Sequence, residues 1–399
     1  MSSLLWLTLL GLPAAAEEGE QTAASEDAEP AEEEEQRREK RWGGLIIPLV
    51  GATSTDGFGL GLGGELFRRP ADGSPGYDLK ITPSLYFNLR LDYTNDLIRI
   101  DWRAPGGTAW LVQVGYQAWR NLSYAGVGGE DVILDRGTQE VGNRFSGPYG
   151  QISATHPVGE RGWSAIGQVT FRGGQSTPAP GGLMDAYDPL AADGGLYVDI
   201  GAGVANTHVD RWPMPTRGHS AALVGTAGLT FAERAVHPLL GAQVETMAWQ
   251  PLIPDRLVLS GRVLVHKTVG ERPFFDQDKA GGRWRDELGS EQALAGYGRT
   301  RTRGDGVVAG LVELRPHLFH IDKPWLDLAF HLSLTAEMGW LYTKSDPGPP
   351  LPTVGFGVPL LYSGVVQLRP FLAWGWRRED PTDPRRPSMQ VGISVLDAL

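Results

Sequence analysis

The chain contains no cysteine. That excludes a disulfide framework, thiol catalysis and cysteine-ligated zinc, and leaves the redox compartment open. Nor does any stretch hold about eighteen consecutive apolar residues, so no segment is suited to cross a bilayer as a helix. Barrel strands escape that test, because they carry their membrane signal in alternation. Catalytic signatures are missing too: there is no Gly-x-Ser-x-Gly, no His-Glu-x-x-His and no serine with a motif-placed base. The chain therefore reads as a non-enzyme without a cofactor. A basic surface is also lacking, since the formal net charge is −11. Residues 17–41 hold 11 acids against 4 bases, which leaves −4 for everything else. A nucleic-acid partner is excluded on that balance.

The 399 residues are rich in glycine, 54 in all. Leu4 to Leu12 is almost wholly apolar and runs into Pro13-Ala14-Ala15-Ala16, the pattern of a secretory signal cleaved after Ala16. Residues 17–41, without aromatics and with Thr22 as their one β-branched residue, read as an acidic disordered linker on the periplasmic side. From Trp42 onward two-residue alternation dominates. In Tyr77–Leu91 the odd positions (Tyr77, Leu79, Ile81, Pro83, Leu85, Phe87, Leu89, Leu91) are apolar and the even ones polar. Leu326–Tyr342, Val366–Arg377 and Arg256–Lys267 alternate likewise. Several such runs exceed the five or six residues of an average soluble strand and suit a tilted crossing of a bilayer. Trp102, Trp110, Trp119, Trp340, Tyr342, Trp374 and Trp376 lie near run ends, where an interfacial girdle belongs.

The pattern predicts an all-β transmembrane antiparallel barrel over 42–399. Strands are placed near 44–51, 57–68, 77–88, 91–103, 108–119, 147–156, 163–172, 196–207, 219–230, 239–249, 256–268, 306–316, 325–342, 353–362, 364–377 and 388–396. That is about sixteen, an even number. Short connections (Gly159–Gly162, Pro213–Gly218) alternate with long ones (Leu122–Ser146, Gly173–Gly195, Val269–Asp305).

Other features have plainer readings. Gly59-x-Gly61-x-Gly63-Gly64 sits in a strand with no helix after it and marks wall curvature, not a phosphate loop. His317, His320 and His331 read as interface or lumen histidines, not metal ligands.

Five motifs resemble those of the BamA/TamA superfamily of outer-membrane assembly barrels, the bacterial surface antigen family, and fall in its order. They are Ser123–Gly129, Val209–Gly218, Leu294-Ala295-Gly296-Tyr297 with Arg301 and Gly304, Val308–Arg315, and Thr335–Gly339. The likeness covers 42–399 and not the periplasmic POTRA modules of most members, so a minimal member is expected. It implies a bacterial outer-membrane location and a role in inserting or translocating other proteins. Implied partners are lipid and lipopolysaccharide, client outer-membrane proteins and periplasmic factors. Two departures stand out: Ala295 occupies the family's loop-arginine position, and the C-terminus, Val395–Leu399, lacks the usual terminal aromatic.

The candidate site is the stretch Gly289–Arg315. Its loop, with Leu294, Ala295, Gly296, Tyr297, Arg299 and Arg301, is expected to fold into the lumen. There Arg299 or Arg301 would pair with Glu337, near Glu313, Arg315 and Gly339. The other reading is a solvated outer loop. A weak seam between the first and last strands is expected from Pro48 and Gly392, since proline cannot donate to a ladder and glycine weakens one. A passive or gated pore and a structural scaffold remain as alternatives.

Overall fold

A computed structural model describes residues 41–53, 57–71, 76–90, 93–122, 143–182, 184–185, 188–211, 214–277, 293–297, 304–323, 326–343, 346–377 and 386–396. The signal and linker readings thus fall almost wholly outside the described residues, as do Arg299 and Arg301. The first strands are β1 (Trp42–Thr53), β2 (Gly57–Arg68), β3 (Leu79–Asn88), β4 (Tyr93–Arg103), β5 (Ala109–Leu122) and β6 (Asn143–Pro157). Then come β7 (Trp163–Thr177), β8 (Gly194–Val209), β9 (Gly218–Ala232), β10 (Ala235–Ile253), β11 (Leu257–Gly270) and β12 (Gly306–Lys323). The remainder are β13 (Leu326–His331), β14 (Ser333–Thr343), β15 (Asp346–Pro347), β16 (Leu351–Gly357), β17 (Leu360–Tyr362), β18 (Val366–Arg377) and β19 (Arg386–Leu396).

All join in one antiparallel sheet that closes through β1 and β19. β13 and β14 are two parts of one passage, since both pair with β12 in one register (His317↔His331, Leu314↔Leu334). β15, β16 and β17 likewise make one passage between β13–β14 and β18. Nineteen segments therefore give sixteen crossings, the expected number. The expected asymmetry holds only in part, because at the long-loop end β1–β2, β3–β4, β9–β10 and β14–β15 are each joined by four residues or fewer. β9 and β10 meet at the long-loop end through Glu233 and Arg234 alone, both at positive φ, a tight turn that matches strand twist.

Alternation fixes the two faces. Leu85, Ile98, Val114, Ile200, Leu223, Leu240 and Val263 are exposed on the outside, an apolar band suited to lipid. The inside is polar. Lys80 faces Glu65 at 3.9 Å, Arg99 pairs with Asp101 at 2.9 Å and Arg262 with Glu245 at 2.7 Å. Trp102 and Trp110 pair across β4 and β5 on the outer face, as a girdle requires. Two aromatics differ from expectation. Trp119 points inward and packs its ring 3.9 Å from that of Tyr93. Tyr77 precedes β3, outside the ladder that enforces alternation, and is buried with Lys80 4.8 Å over its ring.

The barrel is not a simple cylinder. Side chains of β1 and β2 that share the inward face of Glu65 are Leu45, Ile47, Leu49 and Phe67. They form one buried cluster with Leu328 of β13, Leu360 of β17, and Val366 and Leu368 of β18. By register those partners share the outward face of their strands: Leu328↔Tyr362, Tyr362↔Val366 and Leu360↔Leu368. Inward side chains of one segment can touch outward side chains of another only if the wall overlaps itself. At the short-turn end, therefore, β13, β17 and β18 lie inside β1 and β2.

Candidate functional site

The loop after β11 is held on both sides of the lumen. Its start forms a 3-10 turn at Phe274–Asp276 that is fully buried. Phe275 stacks on Phe145 of β6 at 5.2 Å, and Phe274 meets the same ring edge-on at 5.6 Å. The Phe274 N–H donates to the Leu190 carbonyl at 3.1 Å, which ties this loop to the one before β8. Arg272 closes the turn by donating to the Asp276 carboxylate at 2.7 Å, a pair removed from solvent. Tyr93, Trp119, Leu122, Met184 and Tyr197 complete an aromatic cap at the long-loop end.

The later part of the loop rests on the opposite wall. Leu294 is wholly buried against Gly339 of β14, where any Cβ would collide with the Leu294 side chain. The Leu294 N–H donates to Glu337 Oε2 at 2.8 Å, the Ala295 N–H donates to the same carboxylate, and Thr353 of β16 adds its hydroxyl at 3.3 Å. Gly296, at φ +96°, turns where a side chain would meet the backbone of Trp374 and Gly375. Its N–H donates to Gln390 Oε1 of β19 at 3.3 Å. The Tyr297 hydroxyl lies 3.0 Å from the carbonyls of both Pro352 and Trp376, which share its one proton, and accepts from the Trp376 N–H at 3.3 Å, over a ring that packs on Gly375.

The lumen-directed tip is thus held by its backbone. Glu337, expected to pair with Arg299 or Arg301, takes two loop N–H groups and the Thr353 hydroxyl as hydrogen-bond partners; the pairing with Arg299 or Arg301 falls outside the described residues. At Ala295, where the resembled motif carries arginine, it is the main-chain N–H that reaches Glu337. Glu313 and Arg315 belong to a separate network one step toward the short-turn end. Glu313 accepts from Ser260 at 3.1 Å and Ser333 at 2.5 Å, with Arg315 at 3.9 Å and Arg369 at 3.4 Å. Arg315 also donates to the Pro215 carbonyl, so the β8–β9 turn reaches into the lumen from below. Sequence reasoning missed Thr353, Arg369, Gly375 and Gln390. The available signal was alternation, which sets Arg369 and Gly375 on the face of β18 opposite Leu372, Trp374 and Trp376.

The β8–β9 turn is organised by Asp210, whose carboxylate accepts from the Thr216 N–H at 2.9 Å, the Arg217 N–H at 3.1 Å and the Thr216 hydroxyl. Partial desolvation pushes its pKa up, but these bonds and Arg211 outweigh that and hold it below the ordinary aspartate value. A lowered folded pKa means that the contribution is present above the unfolded value and lost as pH falls through the folded one. Tryptic cleavage at Arg211 and Arg217 is therefore expected to stay slow at neutral pH in the wild type and to accelerate in Asp210→Ala. In the wild type held below the folded aspartate value, the turn should lose the same protection, read as faster cleavage by an acid-active protease.

The seam is thin. β1 pairs with β2 over all twelve residues and β18 with β19 over eleven, but β1 meets β19 only at Ala52↔Val391 and Thr53↔Gln390 among the described residues. Continued along that register, the next positions are Gly51 and Gly392, and Pro48 would face Val395. Pairing stops where two glycines would meet. Pro48 lies within the β2 ladder (Pro48↔Leu62), and its missing N–H costs nothing on the open flank. Gln390 therefore joins the two halves of the site: it is a seam residue and the acceptor for Gly296.

These features define a transmembrane β-barrel with a thin seam and a lumen crossed by its own loop. No protein-family model matches the chain, and no curated protein matches it by sequence. Solved structures do resemble it in fold. CdiB from Escherichia coli is 16% identical with a TM-score of 0.57, over 89% of this chain and 62% of that one. CdiB from Acinetobacter baumannii is 13% identical with a TM-score of 0.51, over 89% of this chain and 60% of that one. BamA from Haemophilus ducreyi lacking POTRA domains 1–3 is 15% identical with a TM-score of 0.49, over 88% and 69%. The chain spans about three fifths of the CdiB chains it matches. The likeness expected from the five motifs holds at the level of fold.

Proposed function

We propose that this chain is an outer-membrane barrel that aids insertion or translocation of other proteins, with the β1–β19 seam as the working edge. The observation that carries this reading is the two-pair seam backed by an apolar overlap. A closed conduit gains nothing from a ladder that stops after two residues, whereas an edge with unsatisfied backbone groups can template a client strand. Pro48 and the Gly51–Gly392 break keep that edge from zipping. The loop reports on the seam through Gln390. A passive pore fits less well, because the aromatic cap and the docked tip occupy the lumen from opposite walls. In this reading the short-turn end faces the periplasm, clients and periplasmic factors approach there, and lipid and lipopolysaccharide contact the outer face.

The test uses the absence of native cysteine. Ala52→Cys with Val391→Cys places two thiols at facing ladder positions, and oxidation locks the seam. Cells depending on the locked protein are expected to lose several-fold of the affected outer-membrane proteins in a census, with recovery on reduction. An unchanged census in locked and in depleted cells overturns the assembly role. Bilayer conductance of the locked barrel separates the pore alternative, which predicts current that ignores the lock.

A further inference from the structure

The seam is not the one open edge. Pairing with β11 ends at Pro316, and the last tie on that side is the His317 N–H donating to the Arg256 carbonyl at 2.8 Å. β12 continues to Lys323 and pairs there with β13 alone. Leu318–Lys323 therefore has no backbone partner on its outer flank among the described residues. Six residues is a full strand's length.

This flank is preformed. β11 begins at Leu257, opposite Pro316, and just beyond that point the β12–β13 register shifts between His317 and Phe319, the kind of bulge that bends a strand. Beyond it the hairpin is braced on its other side. Phe319 stacks on Phe330 at 4.4 Å and 24°, and His320 Nε2 lies 2.7 Å from Asp327 Oδ1. Leu318 and Phe319 are half exposed, and so are Leu252 and Ile253 at the end of β10. The edge thus offers unpaired backbone groups beside an apolar ledge, with His320, Asp322 and Lys323 between.

We infer that Leu318–Lys323 docks an extended segment of an unfolded client polypeptide, one whose residues alternate apolar and polar, by strand addition. What selects that occupant is continuity with the seam. β13, the other strand of this hairpin, carries Leu328 into the overlap with Ile47 of β1. A strand added here joins the same sheet that ends at β19, at the same end of the barrel where the seam is unpaired. Backbone bonds would hold the segment and the ledge would take its apolar side chains. The inference rests on the proposed assembly role and assigns it a receiving site distinct from the seam.

The experiment uses the full-length protein in vesicles and a peptide copying Tyr77–Leu91 with an added cysteine, against a scrambled peptide that loses the alternation. Single thiols are placed at His320 (His320→Cys) and, as a control near the same end that is paired on both flanks with Trp163 and Ala221, at Asn206 (Asn206→Cys). Oxidative cross-linking is expected to be at least tenfold higher at position 320, and to fall to the control level with the scrambled peptide. Asp322→Pro in the His320→Cys background should abolish it, because Asp327 opposite it bonds away to Ser363 and leaves the Asp322 N–H on the open flank, with heat-modifiable mobility confirming a folded barrel. Equal yields at both positions, equal yields with both peptides, or an unaffected Asp322→Pro variant each overturn strand addition. Failure here with an intact effect of the seam lock removes the receiving site and leaves the assembly role standing. Cross-linking as expected with an unchanged census does the reverse.

Discussion

Gly339→Val is expected to drive Leu294–Tyr297 off the lumen wall. The glycine faces Leu294 directly, and a side chain at that position would occupy the space the leucine fills. Forcing extra carbons into such a packed contact costs about 1–3 kcal/mol. The tip has little to set against this, because it is short and its hold is a handful of bonds. The strongest are the two backbone N–H groups on Glu337, at about 1.5–3 kcal/mol for hydrogen bonds to a charged group. A loss near 1.4 kcal/mol already changes a population tenfold. Tryptic cleavage at Arg299 and Arg301 should therefore quicken by about tenfold or more, since cleavage tracks the open population when opening is fast. Glu337→Ala should act in the same direction through the other side of the contact. Glu337→Gln keeps an acceptor oxygen and should act more weakly. Equal cleavage rates in wild type, Gly339→Val and Glu337→Ala would place the tip's hold elsewhere.

The loop result bears on the seam through Gln390. That side chain accepts from Gly296 while its backbone pairs with Thr53, so a released tip removes one support from one of two seam pairs. Gly339→Val and the seam lock are therefore expected to interact. The lock should blunt any rise in conductance that the valine produces by loosening the seam, but not a rise that comes from the vacated lumen. Those two sources separate on reduction of the disulfide.

How much of this was legible follows from what alternation can encode. A strand between lipid and a polar lumen writes its two faces into consecutive residues, as Leu79–Asn88 does with Lys80 and Thr82 against Ile81 and Leu85. Sixteen crossings and the lumen loop followed from that local rule together with loop length. The partners of the loop did not, because Leu294 on Gly339 and Tyr297 on Gly375 are matches of shape between segments far apart in sequence. Arginine drew attention in the loop for its charge, while the bonds to Glu337 come from main-chain N–H groups, which every residue has. The overlap did leave a trace. Leu45-Ile46-Ile47-Pro48-Leu49-Val50 is apolar on both faces, and a strand buried on both faces loses its alternation. Leu360-Leu361-Tyr362 and Val365-Val366 show the same loss, and all three stretches meet in one cluster. Trp119 and Tyr77 were misplaced for different reasons: Trp119 keeps the period and shares the inward face of Gln117, so its place near a run end misled, whereas Tyr77 precedes the ladder that enforces alternation.

Ile47→Asp is expected to open the overlap. Ile47 is almost fully buried between the wall of β1–β2 and the outward faces of β13, β17 and β18. A carboxylate there has no polar partner in the cluster, and an uncompensated buried charge costs about 3–5 kcal/mol. Ile47→Val removes one methylene and should cost about 0.5–1.5 kcal/mol. The contrast matters because the backbone gives β1 so little on that side. With two ladder pairs on β19, the first ten residues of β1 stay against the neighbouring strands mainly through Leu45, Ile47 and Leu49. Loss of the cluster should lower the midpoint of the heat-modifiable transition, raise bilayer conductance and reduce the yield of the Ala52→Cys/Val391→Cys disulfide. The valine variant should move none of these by more than a small fraction. If the aspartate variant keeps the wild-type midpoint, conductance and disulfide yield, side-chain overlap is not what closes the barrel. The two backbone pairs would then have to carry the seam alone.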